Sequence, residues 1–334
     1  MRYEAHMDPE LRPGLELYEA FGFAEQDLSG DAIAALRART RQVFTAAAAE
    51  IPPNDRVTRE DRNIPGPEGA PEVPVRIYRP AEPPSATLPG VLWIHGGGMI
   101  AGFIDMDDVT CDTLVERVGC VVVSVDYRLA PEHPDPAPVE DCFAALRWVA
   151  GAAEDLRIDP ARIAVAGASA GGGLAAGTVL LARDRGGPPV AFQLLVYPML
   201  DDRNETASAR EFRGILSWSH EHNHSGWKAL LGDRAGGDDV SPYAAPARAT
   251  DLSGLPPALV QVGELEVFLD EDIEYAHRLL RAKVPTELHV YPGAYHASDV
   301  VAPTADASVR MLEERVRALR RALHADAHLL TARA

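Results

Sequence analysis

Short, almost continuously apolar runs alternate with helical stretches along most of this chain, and this alternation narrows the choice of fold. Runs such as 121–125 and 163–166 are typical of strands that are covered on both faces. Strands that alternate with helices favour a mostly parallel sheet between two helical layers. Strands are predicted at 56–62, 73–79, 89–95, 120–127, 162–168, 190–197, 258–264 and 286–291, and helices at 107–118, 138–151, 170–184, 271–282 and 303–325. The chain is therefore predicted to be an α/β protein with an eight-stranded, mostly parallel sheet and helices on both faces.

Two segments depart from the alternation. Residues 1–50 have helical periodicity and end at Pro52-Pro53, and residues 201–250 contain no convincing strand. An insertion between two strands of such a sheet commonly forms a lid. We expect 1–50 (an N-terminal helical cap segment) and 201–250 (a cap insertion) to cover a core made of 51–200 and 251–334.

Composition limits the partners and the compartment. The 32 Lys and Arg residues against 50 Asp and Glu residues give a net charge of −18, which repels nucleic-acid phosphates and anionic lipid. No run approaches the ~18 apolar residues of a membrane span, so we expect no membrane span and a cytoplasmic protein. Cys111, Cys120 and Cys142 form no C-x-x-C pair, and we expect them to be small buried apolar side chains.

The pentapeptide at 167–171, Gly-Ala-Ser-Ala-Gly, matches the G-x-S-x-G pattern of a nucleophilic serine. A predicted strand leads into it and a predicted helix leads out, so Ser169 lies on a sharp turn that needs small neighbours. The start of that helix also offers backbone N–H groups to developing negative charge. A phosphate-binding loop is the alternative, but the G-x-G-x-x-G spacing and a Walker lysine are missing. Ser169 is predicted to be a nucleophile.

A second glycine-rich loop follows the apolar strand at 89–95. His95 is followed there by Gly96, Gly97 and Gly98, and glycines leave amides unshielded, as an oxyanion requires of its donors. A glycine triplet alone is more often a flexible turn. Because the serine turn follows about 70 residues later, the pair of loops favours acyl-transfer chemistry.

Together with the run at 126–133, Asp-Tyr-Arg-Leu-Ala-Pro-Glu-His, these motifs resemble the hormone-sensitive-lipase-like (bacterial family IV) esterases of the α/β-hydrolase superfamily. The resemblance covers roughly residues 55–330. It implies an α/β-hydrolase fold with a helical cap and hydrolysis of short- to medium-chain acyl esters without a cofactor; a homodimer is a further possibility. It also implies an oxyanion hole made by the amides of Gly97, Gly98 and Ala170, with His95 and Gly96 supporting the loop. Family members often carry Asp or Thr where this chain has Ala168, which should alter the local hydrogen bonding.

The catalytic base is expected to follow Ser169 in the sequence, because the chain order in this fold is serine, acid, histidine. His296 follows the last predicted strand on a loop at the carboxyl end of the sheet, where sites of such sheets form. The family's Gly-x-x-His ending coincides with Gly293–His296. His289 lies within the strand and His277 within a helix, so both are expected to be structural. His296 is predicted to be the general base.

The acid has three candidates. The family usually reads Asp-Pro-Leu-x-Asp-Glu after the preceding strand, and matching its Asp-Glu pair to Asp270-Glu271 places Glu266 at the acid position, 30 residues before His296. Asp270 is the alternative, although it suits the N-cap of the next helix. Glu264 is the third.

The predicted function is that of a serine carboxylesterase acting through an acyl-enzyme. Amide, lactone or carbamate hydrolysis on the same residues stays open. Two alternatives come from other classes: a zinc hydrolase, since His220 and His224 belong to an H-E-x-x-H pattern, and a non-catalytic ligand-binding module. The first lacks an evident third ligand, and the second is disfavoured by the retained serine, acid and histidine. We therefore expect neither a metal nor a cofactor.

Overall fold

The computed structural model describes residues 5–21, 27–52, 54–82, 84–215 and 217–324. Its single sheet has the strand order β1-β2-β4-β3-β5-β6-β7-β8. Strand β2 pairs antiparallel with β1 and β4, and all other neighbours are parallel. The strands are β1 (Val57–Ile64), β2 (Val73–Pro80), β3 (Leu88–Ile94), β4 (Val121–Val125), β5 (Ile158–Ala168), β6 (Phe192–Val196), β7 (Ala258–Leu265) and β8 (Thr286–Tyr295). The predicted eight-stranded, mostly parallel sheet is confirmed.

Helices connect the strands as predicted. They are α1 (Leu15–Phe21), α2 (Asp31–Ala49), α3 (Asp108–Leu114), α4 (Ala137–Gly151), α5 (Ala153–Leu156), α6 (Ala170–Asp184), α7 (Ala207–Glu211), α8 (His220–Leu231), α9 (Leu269–Arg281), α10 (Ser298–Val301) and α11 (Asp306–Leu323). A π-helical turn, Val115–Gly119, continues α3. In the described parts of the chain, none of the helices combines the length and the apolar character that a membrane crossing requires.

The apolar runs form the core. Every residue of β4 and β6 is buried, as strands with cover on both faces should be. Helices α4 and α6 pack against each other and against β5, and α11 packs against β5, β6 and β7. The three cysteines are free and buried, as predicted.

The parallel register brings the ends of several strands to one edge of the sheet. Ile94 at the end of β3 pairs with Gly167 near the end of β5, and Leu265 at the end of β7 pairs with Tyr295 at the end of β8. Strand β8 therefore continues four residues beyond the predicted end at 291. The loops that follow these four strands emerge side by side, where sites of open α/β sheets form.

The two predicted cap segments carry four of the helices: α1 and α2 lie within 1–50, and α7 and α8 within 201–250. Residues 1–4 and 22–26 of the first segment lie outside the described residues. Arg37 of α2 donates to the carbonyl oxygens of Ile100 (2.6 Å) and Ala130 (2.7 Å). The amide of Leu28 donates to the Ser225 hydroxyl on α8. The N-terminal segment thus contacts both the sheet domain and the insertion.

A buried carboxyl group lies in the first turns of α9. Asp272 is fully buried, and neither of its oxygens has a hydrogen-bond partner within the described residues. Burial raises the pKa of Asp272 well above its ordinary value, and the nearby carboxyl groups of Glu271 and Glu266 raise it further. Burying an ionised, unpaired carboxylate is so unfavourable that such a group takes up a proton instead.

We predict that Asp272→Asn makes the protein more stable at alkaline pH. Folded Asp272 binds a proton that the unfolded chain releases above its ordinary pKa, so the free energy of unfolding of the native protein falls as pH rises from that value toward the raised folded pKa. The amide cannot ionise and removes this dependence. We expect a gain of about 1–2 kcal/mol at pH 8 and a smaller gain at pH 5, measured by denaturant unfolding.

The matched control is Glu274→Gln, which removes an exposed carboxylate from the same helix. It should leave the pH dependence of unfolding unchanged. If the free energy of unfolding changes with pH equally in the native protein and in Asp272→Asn, then folded Asp272 does not bind a proton that the unfolded chain releases.

Candidate active site

Ser169 is held in a strained backbone conformation between β5 and α6. Its φ of 58° and ψ of −123° lie outside the regions that non-glycine residues favour. A Cβ at Gly171 would lie 2.0 Å from the Ile94 carbonyl oxygen, so only glycine allows α6 to approach β3 this closely. The predicted sharp turn is present, and Ser169 itself is only 7% exposed.

Three side chains from three loops form one hydrogen-bonded chain. Ser169 Oγ lies 2.9 Å from His296 Nε2, and His296 Nδ1 lies 2.5 Å from Glu266 Oε2. Glu266 is fully buried, and its Oε1 accepts the amide N–H of Gly263 at 2.7 Å. That bond fixes the carboxylate, and the carboxylate in turn fixes the ring. The structure thus brings together the three residues that the sequence analysis selected.

The His296 ring is enclosed by aromatic side chains. Tyr197 and Phe268 approach it edge-on, with ring centroids 4.8 and 5.1 Å away. The Tyr18 hydroxyl donates to the His296 carbonyl oxygen at 2.5 Å. Burial raises the pKa of Tyr18 well above its ordinary value, so its hydroxyl remains a donor. The N-terminal segment therefore holds the backbone of the histidine loop.

The other two acid candidates have different partners. Asp270 Oδ2 accepts the amide of Ser208 in α7 at 2.8 Å, and Glu264 Oε2 accepts the amide of Gly293 at 2.9 Å. The expectation that Asp270 is an N-cap is wrong, because α9 begins at Leu269, two residues before the predicted start at 271, and Phe268 holds the N-cap position. Asp270 lies in the first turn and links α9 to the insertion instead.

The glycine loop after β3 lies beside Ser169, because a Cβ on Gly96 would be 3.3 Å from the Ser169 Cβ. Gly97 and Gly98 adopt φ values of 111° and 63°, and a Cβ on Gly98 would meet the Trp218 ring. Ala170 is the first residue of α6. Within the described residues, no protein acceptor receives a hydrogen bond from the amides of Gly97, Gly98 or Ala170. These N–H groups are free to bind a ligand oxygen.

His95 is buried behind that loop. Its Nδ1 lies 2.8 Å from the Gly96 carbonyl oxygen, and its ring stacks on Tyr127 at 4.2 Å. The Tyr127 hydroxyl donates to the His95 carbonyl oxygen at 3.0 Å. These contacts fit the predicted supporting role of His95 and Gly96.

A cavity of about 120 Å³ opens onto Ser169. Its wall comes from the glycine loop, the histidine loop, and both predicted cap segments. The N-terminal segment contributes an apolar surface that includes Leu36 and Phe44, and the insertion contributes Trp218. Most of the wall is apolar, and Ser169 and His296 are part of it.

His220 and His224 do not form a zinc site in the described structure. His220 lies in α8 with Nδ1 3.0 Å from the Ala209 carbonyl oxygen and Nε2 2.7 Å from an Arg213 nitrogen. A guanidinium cation at that distance opposes a metal ion on the same ring. His224 is exposed, and no three potential ligand side chains converge anywhere in the described ranges.

Several residues of this site carry no signal in the sequence. Tyr18 is 278 residues from the histidine that it contacts, and Asp107 of the cavity wall lies in an ordinary polar stretch. Trp218, also in the cavity wall, belongs to none of the sequence motifs described above. His289 contacts Glu314, and His277 lies exposed on α9; neither lines the cavity at Ser169.

Known proteins are similar to this chain over nearly its whole length. A family model described as the alpha/beta hydrolase fold matches residues 91–299. The carboxylesterase NlhH of Mycobacterium tuberculosis is 39% identical, with 96% of this chain and 97% of that protein aligned. A solved structure titled bacterial heroin esterase is 44% identical, with a TM-score of 0.89 and coverage of 96% of this chain and 98% of that one. The esterase LipW from Mycobacterium marinum is 40% identical, with a TM-score of 0.85 and 96% of both chains covered.

The family match covers more than half of the sequence, and the relatives align along nearly all of it. The predicted α/β-hydrolase fold is confirmed, and so is the predicted relationship to esterases. This chain belongs to the α/β-hydrolase superfamily, among its hormone-sensitive-lipase-like carboxylesterases.

Proposed function

We propose that this protein is a serine carboxylesterase with Ser169 as nucleophile, His296 as general base and Glu266 as the acid that orients the histidine. The observation that carries the proposal is the hydrogen-bonded chain from Ser169 Oγ through His296 to Glu266. A carboxylesterase and an esterase that align with nearly the whole chain support the same reaction.

The first half-reaction forms an acyl-enzyme. His296 Nε2 takes the proton of Ser169 as the serine oxygen bonds to the ester carbonyl carbon. The bond from that carbon to the alcohol oxygen then breaks, and the alcohol leaves with the proton from His296. Glu266 holds the ring in the required tautomer and stabilises its positive charge.

The second half-reaction releases the acid. Water bonds to the acyl carbon and gives a proton to His296, and the bond to Ser169 Oγ breaks as the serine regains its proton. In both steps the amides of Gly97, Gly98 and Ala170 would bind the carbonyl oxygen while it carries negative charge. Losing one such donor typically lowers the rate about 10²–10³-fold.

The cavity supports short- to medium-chain acyl esters. Its volume of about 120 Å³ and its apolar wall fit a few methylene groups rather than a long chain. Phe44, Met106 and Val300 line both this cavity and a second one of about 550 Å³. These side chains would limit how far an acyl group extends.

Two other sequence-based expectations stay predictions. The first is a homodimer; β1 and β8 are the edge strands of the sheet, and gel filtration that gives a 36 kDa monomer would contradict pairing. The second is a cytoplasmic location.

The test of the proposed function is hydrolysis of para-nitrophenyl esters of increasing chain length. We expect kcat/KM to be highest for acyl groups of a few carbons and to fall for long-chain esters that exceed the cavity. Ser169→Ala should lose at least about a thousandfold in kcat. Full activity in Ser169→Ala would point to another mechanism. So would loss of the native protein's activity on treatment with EDTA.

The assignment of the acid is tested by a matched pair of variants. Glu266→Gln keeps the side-chain shape but removes the charge that orients His296, and we expect kcat to fall about 10³–10⁴-fold. Asp270→Asn removes a charge four residues away, and we expect kcat within a few-fold of the native protein, because Asp270 contacts α7 rather than His296.

Thermal unfolding of both variants shows whether a loss of activity comes from a loss of structure. A large loss in Asp270→Asn with a mild effect of Glu266→Gln would reverse the assignment.

A further inference from the structure

The side chains that line the cavity at Ser169 include one acidic group and no lysine or arginine within the described residues. That acidic group is the carboxyl group of Asp107. Four aromatic side chains share the wall: Tyr18, Phe44, Tyr197 and Trp218. A carboxylate among aromatic rings is the chemistry that binds organic cations.

Asp107 lies at the start of a helix, where an aspartate side chain normally accepts a hydrogen bond from the backbone, but it does not do so here. It is the N-cap residue of α3. Its Oδ2 is buried and has no hydrogen-bond partner, and no basic side chain lies within ion-pair distance in the described part of the chain. The carboxyl group therefore forms no ion pair with a lysine or arginine, although the Trp93 indole and the His95 ring lie near it.

The neighbouring carboxylates are all paired. Asp105 lies 2.5 Å from Arg76, Asp108 lies 2.5 Å from Arg59, and Asp299 lies 2.7 Å from Arg315. These three line the second cavity, and Asp107 lies in the wall between the two cavities. Of these four carboxylates, Asp107 is thus the one that forms no ion pair with an arginine.

Its surroundings make a cation favourable. Burial raises the pKa of Asp107, and the carboxylates of Asp108 and Asp299 raise it further, while the nearby Trp93 indole and His95 ring oppose the rise. A positive charge beside the carboxyl group would stabilise its ionised form. The interaction would take place in an apolar cavity, where charges attract more strongly than in water.

On the basis of the esterase function proposed above, we propose that Asp107 is a specificity-determining residue that binds a positively charged amine in the alcohol or acyl group of the ester. The aromatic side chains of the wall would contact the same ammonium group through cation–π interactions. The preferred substrates would then be cationic esters rather than purely hydrocarbon ones.

The test compares esters that differ only in charge. One pair consists of para-nitrophenyl esters whose acyl chain ends in a trimethylammonium group or in a tert-butyl group of nearly the same shape. The other pair consists of acetate esters of an alcohol that ends in the same two groups. For each pair, the quantity measured is the ratio of kcat/KM for the cationic ester to kcat/KM for the neutral one.

Asp107→Asn keeps the shape of the side chain and removes its charge. In at least one pair we expect the native protein to favour the cationic ester and Asp107→Asn to lower the ratio about tenfold. The matched control is Asp105→Asn, which makes the same change of net charge two residues away, on an exposed side chain paired with Arg76. It should leave the ratio unchanged. Asp107→Ser provides a second neutral variant if the amide fails to fold.

The outcomes separate this proposal from the proposed function. Ratios that are equal in the native protein and in both Asp107 variants, or an equal loss in Asp105→Asn, would overturn the role of Asp107. The esterase proposal would survive that result if the neutral esters are still hydrolysed through Ser169. If neither member of either pair is hydrolysed, both proposals fail.

Discussion

The close backbone contact between the turn at Ser169 and the end of β3 is the constraint on which the rest of the site depends. A Cβ at Gly171 would meet the Ile94 carbonyl oxygen at 2.0 Å, and one at Gly167 would meet the Gly171 carbonyl oxygen at 2.2 Å. Without side chains there, α6 approaches the start of the glycine loop, and Gly97 and Ser169 line the same cavity. The strained φ of Ser169 accompanies this packing.

The sheet register extends this arrangement to the other side of the site. Because β7 and β8 stay paired up to Leu265 and Tyr295, the loops that carry Glu266 and His296 emerge together. The N-terminal segment forms two hydrogen bonds to the end of β8 and the histidine loop. The Tyr18 hydroxyl donates to the His296 carbonyl oxygen, and the Tyr295 hydroxyl donates to the Leu11 carbonyl oxygen. The part of the chain predicted as a cap therefore also contacts the backbone of the proposed base.

Much of this could be predicted from local patterns. The strands were recognisable because buried parallel strands are continuously apolar, and Ser169 and His296 because their motifs follow strands in a fixed chain order. The end of β8 was missed because Pro292-Gly293 is a strong local turn signal, whereas pairing with β7 depends on distant residues. The role of Tyr18 at His296 and the unpaired state of Asp107 depend on tertiary contacts, which no short sequence pattern reports.

The central claim is that Ser169 is the activated nucleophile of this site. Labelling with a para-nitrophenyl alkylphosphonate, followed by mass spectrometry of the digested protein, tests it most directly. The account predicts one adduct per chain, on the peptide that contains Ser169, formed in parallel with the loss of esterase activity. An adduct on another residue, or full loss of activity with Ser169 unmodified, would contradict it.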